Sequence, residues 1–164
     1  MKNPKLSFYH ANARGTGCAL FLELIPAKWC EDGYVIMTLA NQTVDKNEKP
    51  PVFPTFEMGN PIVVKLDFMD LSKILQVLRG ECESIDDGRG LYHRSASTTT
   101  AIRFSHVLDP MCGYTLDVTR MTNGKRDEEH ATIVLTSAEA CGLAEALRMA
   151  LGLVAFGAPP PTYV

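Results

Sequence analysis

The sequence lacks several features that mark large classes of proteins. Its 164 residues are 46% apolar, yet no run reaches the roughly 18 apolar residues that a membrane-spanning helix needs. The opening residues lack the apolar core of a signal peptide, which favours a cytoplasmic location. The five cysteines lie far apart without a C-x-x-C pair, as is typical of reduced thiols rather than of a disulfide framework or a zinc site. We therefore expect a globular cytoplasmic protein without a metal or cofactor.

Residues that would mark a catalytic centre are also scarce. The four histidines have no acidic or thiol partner at the spacing expected of a nucleophile, a base and an orienting residue. The glycine-containing stretch 12–17 lacks the lysine and the following helix of a phosphate loop, and the acids at 86–87 precede a glycine, as in ordinary turns. We expect no enzyme; a close cluster of His93, His106 and an acid with an ordered metal would favour one instead.

Positive charge is low overall but unevenly distributed. The net charge is −3, whereas residues 1–28 carry four basic and one acidic residue and residues 88–126 carry six basic and two acidic residues. Such a chain can present a basic face despite an acidic total. Ordinary surface scatter is the alternative interpretation, because the counts are small.

The pattern of apolar residues predicts two groups of four strands. Period-two alternation and β-branched residues indicate strands, and clusters of glycine, proline and asparagine separate them. The segment 42–60 contains three prolines and is predicted to be a mobile loop. The predicted strands cover residues 6–10, 18–25, 34–41 and 61–68 in the first half and 91–97, 101–107, 113–120 and 131–135 in the second half.

A helical period follows each group of strands. Apolar residues at i, i+3, i+4 and i+7 predict a helix over 69–79, with an aspartate near its start and Gly80 at its end. A second helix is predicted over 137–151, because Thr136 and Glu139 have the spacing of a capping box.

These elements predict one α+β domain over residues 1–157, built from two repeats of the order ββββα. The repeats cover about 5–81 and 89–153, and residues 158–164 are expected to form a flexible tail. Each repeat would form an antiparallel four-stranded sheet followed by a helix. Since the helices cover one face of each sheet, the other face is left for a ligand.

Aromatic and basic residues recur at the start of both predicted repeats. They follow one another at 8–10 and again at 92–94, with an arginine close by in each repeat. Aromatic rings stack on unpaired bases, and arginine pairs with phosphates, so this combination suits single-stranded nucleic acid. Alternatively the rings belong to the core and the remaining residues form a solvated strand, since aromatic residues favour strands in any case.

The order of the elements resembles the Whirly family of single-stranded-DNA-binding proteins and the wider group that includes Pur-alpha. The resemblance is carried by GCALFLEL at 17–24, GYVIMTLA at 33–40, VVKLDFMDLSKILQVL at 63–78 and IVLTSAEACGLAEALRMALG at 133–152. It implies two sheets packed together by their helices. It also implies tetramers formed through the helices, and single strands bound along sheet edges between neighbouring subunits. Where the family has Lys-Gly-Lys-Ala-Ala-Leu, this chain has Arg-Gly-Thr-Gly-Cys-Ala-Leu, so Arg14 alone supplies a cation there.

We therefore predict a non-enzymatic protein that binds single strands, DNA rather than RNA, with little sequence preference. Its process would be transcription regulation, replication or repair. The helices at 69–79 and 137–151 would form the core of a homotetramer. An oligomeric structural or protein-interaction module without a nucleic-acid ligand is the alternative. The predicted contact residues are Tyr9, His10, Arg14, Phe21, Tyr34, Tyr92, His93, Arg94, Arg103 and Arg120.

Overall fold

Two antiparallel sheets, each followed by a helix, form the architecture, and the predicted fold class is confirmed. The structure is a computed structural model that describes residues 5–43, 54–108, 112–124 and 128–158. The first half contains β1 (Lys5–His10), β2 (Cys18–Ile25), β3 (Tyr34–Thr43), β4 (Thr55–Phe56), β5 (Ile62–Leu66) and α1 (Phe68–Leu78). The second half contains a 3₁₀ turn (Ile85–Gly88), β6 (Leu91–Arg94), β7 (Thr98–Val107), β8 (Gly113–Thr122), β9 (Glu128–Thr136) and α2 (Ser137–Phe156).

The first sheet has one strand more than the sequence predicts. Its order is β1-β2-β3-β4, and β5 also pairs with β3. The extra strand β4 lies in the segment predicted to be a loop, where Phe56 pairs with Gln42 and Thr55 with Thr43. The loop prediction is wrong at these residues, because a two-residue strand is too short for alternation to reveal it. Residues 44–53 lie outside the described part of the chain.

The second sheet is a meander in the order β6-β7-β8-β9. Strand β6 ends at Arg94, three residues earlier than predicted, because the next residues form a turn. In that turn the Ser95 Oγ accepts hydrogen bonds from the backbone N–H of Thr98 at 3.0 Å and of Ser97 at 3.3 Å. A serine hydroxyl that bonds its own backbone in this way competes with strand pairing.

Both helices begin with a capping box. The Asp67 carboxylate accepts from the Asp70 N–H at 2.9 Å in α1, and the Thr136 hydroxyl accepts from the Glu139 N–H at 3.3 Å in α2. Helix α2 extends five residues beyond its predicted end and stops at Gly157, whose φ is 77°. Neither helix in the described ranges is long and apolar enough to cross a membrane. Of the predicted tail at 158–164, only Ala158 is described, and residues 159–164 lie outside the described part of the chain.

The inner faces of the two sheets share one hydrophobic core with the helices. Leu20 and Leu39 from the first sheet, Ile102 and Val118 from the second, and Leu71 from α1 are all 1% exposed or less. Burial of such side chains stabilises the fold by about 1.5–3 kcal/mol each. Because strand residues alternate between faces, this inner packing leaves an outer face on each sheet.

Candidate nucleic-acid interface

Strand alternation divides the predicted contact residues between the two faces of each sheet. Arg14 lies in the exposed loop between β1 and β2. Three residues lie on the inner faces, in register with core positions: His10, His93 and Arg120. Six lie on the outer faces: Tyr9, Phe21, Tyr34, Tyr92, Arg94 and Arg103.

The outer face of the first sheet carries a cluster of three aromatic rings. The Tyr9 ring centroid lies 5.4 Å from that of Phe21, edge to face, and 5.8 Å from that of Phe56. Ala19 and Ala40 occupy the positions beside Tyr9 on β2 and β3 and are 0% and 1% exposed, so the rings cover them. Tyr9 itself is 61% exposed. Its ring is therefore held by neighbours and still open to a stacking partner.

A cation lies beside a ring elsewhere on the same face. The Lys65 Nζ is 4.2 Å from the centroid of the Tyr34 ring, within the range of a cation–π interaction. Lys5 and Glu23 lie in the same cross-strand row as Lys65, and the Lys5 Nζ forms an ion pair of 3.1 Å with Glu23. Lys65 makes no ion pair among the described residues, so its charge is available to a phosphate.

The outer face of the second sheet combines one ring with two arginines. Tyr92 is 62% exposed, and Arg94 is exposed two residues further along β6. The Arg94 side chain makes no hydrogen bond or ion pair within the described ranges. The Arg103 Nη1 lies 3.8 Å from an Asp117 carboxylate oxygen, at the long end of an ion pair.

Asp117 makes this second face less basic than the sequence suggests. Its carboxylate accepts a hydrogen bond of 2.7 Å from the Thr132 hydroxyl and pairs with the His130 ring. Since these partners leave the carboxylate on the outer face, it offsets part of the Arg103 charge. Among the described residues of this face, Arg94 is then the cation that no acid offsets.

The predicted histidines are engaged on the inner side of the fold. The His10 Nε2 lies 2.8 Å from Glu139, and the His93 Nε2 lies 3.1 Å from Asp70. Both acids are the third residue of a helix and belong to its capping box. Each histidine thus binds the helix of the other repeat.

The carboxyl of Glu139 reflects this pairing. Burial raises its pKa, but the backbone N–H and hydroxyl of Thr136 and the His10 ring outweigh burial and hold the pKa below its ordinary value of 4.5. The ionised carboxylate is therefore the form that the fold favours.

Arg120 connects the two sheets instead of facing solvent. Its Nε donates to a Glu129 carboxylate oxygen at 2.6 Å, and its Nη2 donates to the Pro61 carbonyl at 3.3 Å. Arg14, by contrast, makes no side-chain hydrogen bond or ion pair with any described residue.

Sequence reasoning missed two members of the outer faces. Lys65 alternates with buried Val64 and Leu66 in a strand that was predicted, so its outward position could have been inferred. Phe56 gives no such signal, because its contact with Tyr9 depends on the pairing of β4 with β3.

The described residues contain no group of three or more histidines, cysteines and acids that could hold a metal ion. The two histidines of the possible catalytic cluster have different partners. The His106 Nε2 lies 3.5 Å from the Cys112 Sγ, whereas the His93 Nε2 pairs with Asp70. Burial raises the pKa of the Cys18 thiol to about 11, which makes it a poor nucleophile at neutral pH.

No protein-family model and no curated protein sequence matches this chain. Solved structures do match. WHY1 from Arabidopsis thaliana superposes with a TM-score of 0.75, covering 95% of this chain and 87% of that chain at 14% identity. This chain has a Whirly-like fold. The resemblance inferred from the sequence is confirmed at the level of the fold.

Other Whirly-like and related folds superpose over similar lengths. The plant transcriptional regulator PBF-2 matches with a TM-score of 0.73 and 15% identity, covering 94% of this chain and 83% of that chain. A guide-RNA-binding protein complex bound to a guide RNA matches with a TM-score of 0.60 and 18% identity, covering 92% and 90%.

Proposed function

We propose that the protein binds single-stranded nucleic acid on its outer sheet faces and has no enzymatic activity. The observation that carries this proposal is the exposed ring cluster around Tyr9 on one sheet, matched by exposed Tyr92 beside Arg94 on the other. Stacking of a base on an aromatic side chain contributes about 1–3 kcal/mol. A duplex hides the base faces that such rings bind.

Stacking contributes more to this binding than charge does. Among the described residues, the outer faces and the Arg14 loop supply few cations without a competing acid, chiefly Arg14, Lys65 and Arg94. About three phosphate contacts on a single strand give a slope of roughly −2 for the logarithm of affinity against that of salt concentration. Binding is therefore salt-sensitive, and it tolerates sequence because every base has a face to stack.

DNA is the preferred strand in this proposal, and transcription regulation, replication or repair is its setting. The resemblance of the sequence to the Whirly family of single-stranded-DNA-binding proteins supports DNA. PBF-2, another structure of this fold, is a transcriptional regulator.

We also propose a homotetramer that forms through the helices at 69–79 and 137–151. Met69 on α1 and Met149 on α2 are 59% and 67% exposed, and a Cβ at Gly142 would point into open space beside the helix. Exposed apolar side chains and a residue without a side chain permit close contact between helices of neighbouring subunits. Light scattering should give about four times the chain mass of 18.0 kDa.

Titration with a fluorescein-labelled oligothymidine tests the proposed function. It is run at about 50 and about 200 mM salt beside the matching duplex and oligouridine. We expect the affinity to decrease from oligothymidine to oligouridine to the duplex. The affinity for oligothymidine should fall only modestly with salt, and every strand should be recovered uncut. Equal affinity for strand and duplex, or no binding at low salt, would contradict the proposal.

A further inference from the structure

Two almost fully exposed aromatic side chains lie at the C-terminal end of α2. Trp29, the single tryptophan of the chain, is 95% exposed, and Phe156 is 90% exposed. They border a groove of about 920 Å³ that is lined by residues 26–32 and 155–158, which we name the Trp29 groove. Exposed apolar patches that are rimmed by polar residues mark interaction sites or ligand-binding grooves.

The turn that carries Trp29 is anchored to the helix. The Ala27 N–H donates to the Leu153 carbonyl at 3.0 Å, and the Gly33 N–H donates to the Val154 carbonyl at 3.2 Å. Between them, Lys28 and Glu31 exchange backbone hydrogen bonds of 3.0 and 2.9 Å across the turn. The turn thereby supplies a donor to the Val154 carbonyl in the last turn of α2, where carbonyls lack partners within the helix, whereas the Leu153 carbonyl also accepts from the Gly157 N–H at 2.9 Å.

Two glycines allow this close approach of turn and helix. A Cβ at Gly33 would lie 2.7 Å from the Val154 Cα, and a Cβ at Gly157 would lie 2.5 Å from the Ala27 carbonyl oxygen. Neither distance is possible for a real side chain. Trp29 is therefore presented on a backbone that is already ordered, which lowers the entropic cost of binding.

The charges around the Trp29 groove favour a cationic partner. Glu31 and Asp32 are exposed, and their side chains make no ion pair or hydrogen bond within the described ranges; Lys28 is the cation of the turn. This net negative rim disfavours a phosphate backbone. It also disfavours a symmetric contact between two copies, which would bring the same carboxylates together.

We propose that the Trp29 groove binds an extended segment of a protein partner that contains proline and arginine. Proline-rich segments dock on grooves lined by aromatic side chains, because they are already extended. Arginine stacks on the face of a tryptophan, and the adjacent carboxylates attract its charge. None of the residues that line the groove is among the outer-face residues proposed for nucleic acid, so the chain has one set of residues for nucleic acid and another for a protein.

A fluorescein-labelled Arg-Pro-Pro-Arg-Pro-Pro peptide titrated into the full chain tests this proposal by anisotropy. Peptides with glutamate in place of arginine, or alanine in place of proline, should bind more weakly. The change Trp29→Ala should raise the dissociation constant by roughly 2- to 30-fold, the range expected for loss of a cation–π contact. It should leave oligothymidine binding unchanged, so the groove and the sheet faces are tested separately.

Charge is tested with the pair E31Q/D32N, which should weaken peptide binding and flatten its salt dependence. The matched control is E83Q/D87N, which removes the same charge from exposed residues of the segment between α1 and β6. Equal weakening by both pairs, or no effect of Trp29→Ala, would overturn the proposal.

Acrylamide quenching of Trp29 fluorescence tests whether another occupant takes the groove. Free quenching without peptide, and protection on adding the arginine peptide, are the expected results. Protection that grows with protein concentration would overturn the proposal in favour of a second copy of the chain. Protection by oligothymidine alone would overturn it in favour of nucleic acid.

Discussion

The outer and inner faces of the sheets use the same Tyr-His dipeptide in opposite ways. Tyr9 and Tyr92, each the first member of the pair, are 61% and 62% exposed on the outer faces. His10 and His93 follow them directly, yet lie on the inner side and pair with Glu139 and Asp70 at the start of the helices. The tyrosines are therefore available to a ligand, whereas the histidines hold the two repeats together.

This reciprocal arrangement has a consequence for the assembly of the fold. Each repeat contributes a histidine that pairs with the capping-box acid of the other repeat's helix, so these two pairs form only when the repeats pack together. We expect substitutions on the outer faces to change binding and those at the inner pairs to change stability.

The largest effect on binding is expected from Y9A/Y92A. Loss of stacking costs about 1–3 kcal/mol per base, so the affinity for oligothymidine should fall by about tenfold or more. Urea unfolding should change little for Tyr92→Ala, whose ring is exposed, whereas Tyr9→Ala should also lose the ring contacts with Phe21 and Phe56. Val63→Ala on the same outer face of the first sheet is the control, since Val63 is 48% exposed and lies outside the ring cluster. A comparable loss of affinity in Val63→Ala would show that the loss is not specific to the aromatic rings.

The next effect is expected from R94A/R103A, which removes phosphate contacts from the second sheet. One lost contact reduces the salt slope by about 0.7, so the slope should become shallower by about 0.7 through Arg94, with little further change from Arg103, whose charge Asp117 already offsets. Titration at several salt concentrations measures it, with R79A/R89A as the control of equal charge. An unchanged slope would mean that the outer face of the second sheet does not contact the strand.

Substitution of an inner histidine should have a smaller effect, confined to stability. His93→Ala removes the partner of Asp70 and should lower the free energy of unfolding by at most about 1 kcal/mol, because the pair is partly exposed. His93→Asn, whose amide can still donate to a carboxylate, should lose less. Urea unfolding measures both variants. Weakened oligothymidine binding at unchanged stability would place His93 in the interface instead.

The smallest effect is a pH dependence at the other inner pair. The pKa of Glu139 is lowered by folding, so its ionised form stabilises the fold above pH 4.5, and this contribution disappears as the pH falls through the lowered value. Glu139→Gln should therefore lose stability near neutral pH, and the difference from the parent should shrink in acid. A difference that stays constant from neutral pH to acid would show that the effect does not depend on ionisation.

Local signals made most of the fold predictable. Alternation gave β2 its observed bounds, Cys18–Ile25, and the Thr136–Glu139 spacing gave α2 its first residue. Features that depend on distant pairing were not predictable. Phe56 reaches Tyr9 only through the short strand β4, and Arg120 reaches the Pro61 carbonyl only when the two sheets meet. The sequence gives no measure of these long-range contacts.

The types of residue in the candidate site were predictable from the sequence, but the face of the sheet on which each residue lies was not. Aromatic and basic residues at the start of each repeat indicated the outer tyrosines together with Arg94. The same reasoning included His10 and His93, because it grouped neighbours in sequence that a strand directs to opposite faces. Trp29 gave no signal, since its exposure depends on how the turn packs on α2.

Photocrosslinking tests the central claim most directly. An oligothymidine that carries iododeoxyuridine crosslinks to aromatic side chains stacked on its bases, and mass spectrometry identifies the modified residues. We predict crosslinks at Tyr9 or Tyr92 and none at Trp29, whose acidic rim disfavours phosphates. Crosslinks confined to Trp29, or absent from both tyrosines while the strand is bound, would contradict binding on the outer sheet faces.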